Sequence, residues 1–154
     1  MSEVECLVEQ FRAAFEGEAW AGPSVREAVQ GVDVKMASQR AFRDAHTIWE
    51  LVMHLINNDR MICDRLAGSR FASPTPTELW TRQPYPTESG WQNTLKQLGQ
   101  THLRLRTAIS AVRVSQLPEK VPTREHTWYD ELNGCAQHYM YHAGQIVLLK
   151  KALK

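Results

Sequence analysis

The stretch Ala45–Gly68, "AHTIWELVMHLINNDRMICDRLAG", holds a start signal, a repeating apolar face and a stop signal in one run. Thr47 is followed three residues later by Glu50, the pairing in which hydroxyl and carboxylate satisfy each other's backbone N–H at a helix start. Ile48, Leu51, Val52, Leu55, Ile62 and Leu66 recur at helical spacing and define one inward face. Gly68 supplies the left-handed conformation that ends a helix. The stretch therefore predicts a long amphipathic helix, and its period argues against strand.

Working outward, three more segments read the same way. Val4, Leu7, Val8, Phe11 and Phe15 form a stripe that ends near Gly17. After "SGWQ", with Ser89 as expected cap and Gln92 as its partner, Trp91, Leu95, Leu98, His102, Leu105, Ile109 and Val112 step by fours and threes. The last segment has Thr127 with Asp130 as its capping pair, then Leu132, Cys135, Tyr139, Ile146, Leu149 and Leu153. Lys150, Lys151 and Lys154 complement the dipole at its C-terminal end. No segment shows the strict alternation of a strand. "PSVREAVQG" is expected to form a short helix in the link between the first two long ones.

The connection between the second and third helices contains Pro74, Pro76, Pro84 and Pro86. Its roughly twenty residues, extended, span more than the ~30 Å length of a 20-residue helix, so helices two and three can run parallel. The expected architecture is an all-α four-helix bundle forming a single domain over residues 1–154, with the connection order open at this point.

Composition narrows the function. Hydrophobic residues make up 43% and charged residues 23%, as in a folded globular chain. Lys and Arg total 18 against 17 Asp and Glu, so no strong field recruits nucleic acid or an anionic membrane. The N-terminal "MSEVECLVEQF" has the features of neither a signal nor a transit peptide. No apolar run approaches the roughly 20 residues of a membrane span. A cytoplasmic location is expected. Cys6, Cys63 and Cys135 are far apart and lack a CxxC spacing, so they read as reduced core residues. Phosphate-binding glycine loops, nucleophile elbows and dinucleotide fingerprints are absent.

Chemistry is concentrated in "HYMYHAGQ", residues 138–145. His138 and His142 stand one helical turn apart on one face, the spacing of a metal-ligand pair, and Gln145 extends the row. They fall among Cys135, Ile146 and Leu149 on the inward stripe, where an unpaired imidazole is costly. His54 offers a third ligand from the margin of another apolar stripe, at a similar depth in its helix. The alternative is a set of core histidines satisfied by water or carbonyls. His102, squarely on the third stripe, reads as a polar core residue that packs or bonds a neighbour, with a fourth ligand or an acid/base group as its functional alternatives. His46 and His126 precede helix caps and are expected to be exposed. Tyr139, Tyr141 and the tryptophans Trp20, Trp49, Trp80, Trp91 and Trp128 read as packing residues, with Trp80 in the crossover the one expected at a pocket mouth.

"AHTIWELVMHLINNDRMICDRLAG", "WYDELNGCAQHYMYHAGQIVLLKKAL" and, more loosely, "FEGEAWAGPSVREAVQGV" resemble the DinB-like superfamily of small metal-binding helical bundles, the YfiT-like metal-dependent hydrolases among them. The crossover and third helix match only in general character. The resemblance implies a divalent metal held by His54, His138 and His142, an up-down-down-up bundle and a homodimer. It also implies either metal-dependent hydrolysis or transfer by a low-molecular-weight thiol.

Three neutral imidazoles leave an ion its full charge and at least one open position, the arrangement of catalytic zinc. Water or a thiol held there becomes nucleophilic near neutral pH. Zinc and nickel are the expected ions, although imidazole also suits copper and iron. Gln145 is a candidate support for the ligands or contact for a small-molecule substrate; no catalytic side chain is assigned. Two other readings stand beside the enzyme: a metal-binding stress-response or structural protein without turnover, and a bundle with no metal.

Overall fold

The computed structural model describes residues 1–69 and 74–154. Every element among them is helical: α1 Glu3–Glu16, α2 Val25–Val29, α3 Val34–Ser38, α4 Ile48–Leu66, α5 Pro76–Leu79, α6 Glu88–Ser110 and α7 Trp128–Ala152, with a 3₁₀ turn at Val114–Gln116. The all-α class expected from the apolar periodicity is thus the class of the fold.

Local chemistry explains where the helices begin. Reciprocal hydroxyl–carboxylate pairs open α1 (Ser2/Glu5), α2 (Ser24/Glu27), α4 (Thr47/Glu50), α5 (Thr75/Glu78) and α7 (Thr127/Asp130). The start of α6 differs from expectation. Thr87, not Ser89, is the cap: its backbone is extended and its hydroxyl accepts from Gly90 N at 3.1 Å. Gln92 instead donates to Glu88 one turn back, at 2.8 Å. The earlier start brings Glu88 into the first turn, where its charge suits the helix dipole. Gly90 is constrained by packing, since a Cβ there would lie 2.9 Å from Thr87 Oγ1 and 3.3 Å from the Trp49 ring.

The long helices bury their stripes against one another, α4 against α6 and α7, and α1 against α6 and α7. Phe11, Trp49, Leu55, Trp91, Leu105, Tyr139 and Ile146 are fully buried at their junction. Each large apolar side chain contributes about 1.5–3 kcal/mol by leaving water. Contacts fix how α4 runs relative to two neighbours. Trp49 Nε1 donates to Thr94 Oγ1 at 3.0 Å near the starts of α4 and α6, and Asp64 pairs with Arg104 at 3.7 Å further along both, so these helices run the same way. Arg65, near the end of α4, pairs with Glu131 near the start of α7, while His54 meets His138 and His142 further on, so α4 and α7 run oppositely. The segment joining α4 to α6 must therefore travel back along the length of α4.

Two packing expectations are corrected. Trp20 is fully exposed, because the chain turns after α1 through Gly17 and Glu18, both at positive φ, and releases the indole from the core. Cys6 is exposed on the outer side of α1, while Cys63 and Cys135 are buried and reduced as expected. No helix among the described residues is long and apolar enough to cross a membrane.

Candidate metal centre

α4 and α7 bring three imidazoles to one point. His54 lies on α4 beside fully buried Leu55, and His138 and His142 lie one turn apart on α7. His138 Nε2 stands 3.0 Å from His54 Nε2 and 2.9 Å from His142 Nε2, and one nitrogen from each ring falls within 4.8 Å of the other two. They form the only such cluster of three or more His, Cys, Asp or Glu ligands found among the described residues.

The outer nitrogens determine what faces inward. His54 Nδ1 is 3.2 Å from Leu79 O, and a carbonyl can only accept, so the proton sits on Nδ1 and the Nε2 lone pair points inward. His142 Nδ1 donates in the same way to Gln145 Oε1, 2.6 Å away. His138 Nδ1 is buried without a partner. If His138 Nε2 carries a hydrogen, that one donor faces two acceptors; if it does not, three lone pairs converge. A cation removes the conflict in either case. Ligand nitrogens around a tetrahedral ion with bonds of ~2.0–2.1 Å stand about 3.3 Å apart, so the two pairs made by His138, at 3.0 and 2.9 Å, need open by only a few tenths of an ångström. The residues present fit a divalent metal.

Electrostatics agree with that fit. Burial lowers the pKa of His138 to about 3, assisted by the neighbouring imidazoles His142 and His54. Burial likewise lowers His142 to about 4, against the opposing hydrogen bond to Gln145, and lowers His54. All three rings are neutral at pH 7, the state a metal ligand requires.

The crossover supplies the rest of the wall. α5 delivers the Leu79 carbonyl to His54, and Trp80 stacks on the His54 ring at 3.8 Å and 4°. On its other face Trp80 stacks on His46, also at 3.8 Å, with 9° between planes. Asn57 Nδ2 donates to Glu78 O at 3.2 Å and helps hold this segment against α4. Trp80 thus borders a cavity of about 390 Å³ that also touches His142, Gln145 and Tyr141. Tyr141 is therefore at the cavity rather than in the packing, and it is exposed because α7 turns that face outward.

His102 takes the packing role favoured for it. It is stacked 3.9 Å from Phe15 and 4.8 Å from Phe11, and burial lowers its pKa to about 3. His126 and His46 are exposed, as their positions before caps suggest. Two buried acids, Asp59 and Glu131, escaped the sequence reading, and a third, Glu50, was read only as a capping residue. Asp59 accepts from Tyr139 Oη, 2.5 Å away, deep in the core. Glu131 bridges Arg65 and His126, and Glu50 receives Arg40 and His46. Asp59 was detectable as the one acid on the stripe Leu55, Ile56, Ile62, Cys63.

A family model described as the DinB superfamily matches residues 19–146. The chain belongs to the DinB superfamily. The matched span contains His54, His138, His142 and Gln145, and it leaves out the whole of α1. No curated protein and no solved structure matches the chain. Membership in the DinB superfamily and the three-histidine cluster are both compatible with metal binding.

Proposed function

We propose that His54, His138 and His142 hold a divalent metal ion, zinc or nickel, and that the protein is a metal-dependent enzyme acting on a small molecule. The observation that carries this reading is the convergence of three neutral imidazoles, two of which, His54 and His142, have their outer nitrogens engaged elsewhere. A bound ion would acidify water or a low-molecular-weight thiol and stabilise charge developing on a substrate. The protein's own groups do the remaining work. Leu79 O and Gln145 Oε1 fix the tautomers and angles of two rings. Trp80 covers one face of His54 and limits water on that side. The cavity beside His142 and Gln145 gives a substrate access.

A second reading, a metal that ties helices together without turnover, is favoured by one fact: the three histidines come from two helices and join α4 to α7. The two are separated by screening the metal-loaded protein for hydrolysis and for thiol transfer. Loss of activity in His138→Ala, with the fold retained, supports the enzyme; a stable metal-loaded protein inert in both screens supports the structural role. The homodimer implied by the resemblance belongs to the same proposal and is tested by sedimentation equilibrium.

A further inference from the structure

The cavity beside the histidines has a chemical character of its own. Its walls include Trp80, Leu51, Leu149 and Phe42; Asp44 brings a carboxylate to the lining, and no Lys or Arg is among the described residues that line it. Phe42, Tyr141 and Leu148, all exposed, stand around it and give it an apolar rim. Its volume of about 390 Å³ suits a molecule of one or two rings. A second anionic group, beyond whatever atom meets the metal, would have no cation to pair with there and would carry a desolvation cost.

His46 is the polar group placed to read the far end of such a molecule. Its ring borders the cavity and lies two stacking steps of 3.8 Å from the His54 ring, with the Trp80 indole between them. Its Nδ1 is 3.4 Å from Glu50 Oε2, so that nitrogen donates and Nε2 presents a lone pair. Among the described residues Nε2 has no hydrogen-bond partner in the protein. Glu50 is held in turn by the α4 capping box, where Thr47 N donates to it at 3.0 Å, and by Arg40 Nη2 at 3.2 Å. The same helix start that positions His54 two turns later therefore also fixes His46.

We propose that this cavity is the substrate site of the metal centre, that it takes a small, largely apolar molecule with a single uncharged O–H, N–H or S–H donor at the end remote from the metal, and that His46 Nε2 accepts that donor. The inference rests on the metal reading above. Glu50 is the positioning residue for His46, and a lining that carries the Asp44 carboxylate and no Lys or Arg selects against a second anionic group. Because Trp80 contacts both His46 and His54, the metal-binding end and the donor-recognising end of the site are held by one indole.

The test uses three thiophenols that share a sulfur for the zinc and differ at the para position: hydroxyl, methoxy and carboxylate. Zinc stoichiometry of the protein is measured first, and binding of each compound to the zinc-loaded protein is then followed by calorimetry. The hydroxyl compound is expected to bind roughly threefold tighter than the methoxy compound, the value of one hydrogen bond to a half-exposed acceptor, and to exceed the carboxylate by a larger factor. His46→Phe, which retains a ring against Trp80, should abolish the preference for hydroxyl over methoxy without changing zinc stoichiometry. Equal or tighter binding of the carboxylate overturns the proposal, as does an undiminished hydroxyl preference in His46→Phe or failure of all three compounds to bind. A protein that takes up no zinc overturns the metal reading as well, and the stoichiometry identifies that case before any thiophenol is added.

Discussion

Replacing Gln145 tests whether the histidines are built as ligands or merely packed. Gln145 Oε1 accepts from His142 Nδ1 at 2.6 Å, and this bond turns the Nε2 lone pair toward the other two rings. In Gln145→Leu the Nδ1 proton loses its acceptor in a part-buried place, at a cost of about 1–3 kcal/mol. Moving the proton to Nε2 relieves that loss but blocks the lone pair. Either way metal affinity falls, by roughly 10–100-fold, the range seen when the outer partner of a ligand histidine is removed. Gln145→Glu should act oppositely, because a carboxylate at the same atom raises the basicity of the ring and tightens binding. Competition with a chromophoric chelator measures both affinities, and circular dichroism confirms that the helices persist. Equal zinc affinity in the wild type, Gln145→Leu and Gln145→Glu would refute the reasoning.

The buried core groups make two opposed pH predictions. His102, held near a pKa of about 3 against an ordinary 6.5, binds its proton more readily when unfolded, so stability falls as pH drops below about 6.5. This amounts to about 2 kcal/mol by pH 5, and urea titrations of His102→Leu should show that slope flattened. Asp59 has the reverse sign: burial raises its carboxyl to about 7 from 3.8, so its contribution is retained below pH 4 and lost as pH rises through 7. Asp59→Asn should become more stable relative to wild type between pH 4 and 8, by up to ~4 kcal/mol, and a flat difference across that range would count against a buried ionising carboxyl.

The long helices were legible because their signals are local. Thr47 with Glu50, and Thr127 with Asp130, mark helix starts within four residues, and the stripes that follow need only the helical period. The histidine cluster was legible for a related reason: His138 and His142 are one turn apart, and His54 sits in an equally apolar setting on a second helix. What the sequence hid depends on contacts between distant segments. α3, capped by Asp33, and α5 span only five and four residues, too short for periodicity to register. That Leu79 O and Trp80 return to His54 follows from the crossover's path along α4, which no local pattern encodes. Ser89, three residues before Gln92, fitted the local capping pattern although Thr87 is the cap, and the close approach of Trp49 to Gly90 lies at a helix contact visible only after folding. His46 is exposed, as its place before a cap suggested, and that it also borders the cavity and stacks on Trp80 depends on the crossover's path.

The central claim is tested most directly by elemental analysis of protein purified without nickel resin, in parallel with His54→Ala and His138→Ala. The account predicts close to one equivalent of a divalent transition metal per chain in the wild type and little in either variant, all three retaining helical circular dichroism. A metal-free wild type that also takes up no zinc or nickel when either is added, with unchanged thermal stability, would contradict it.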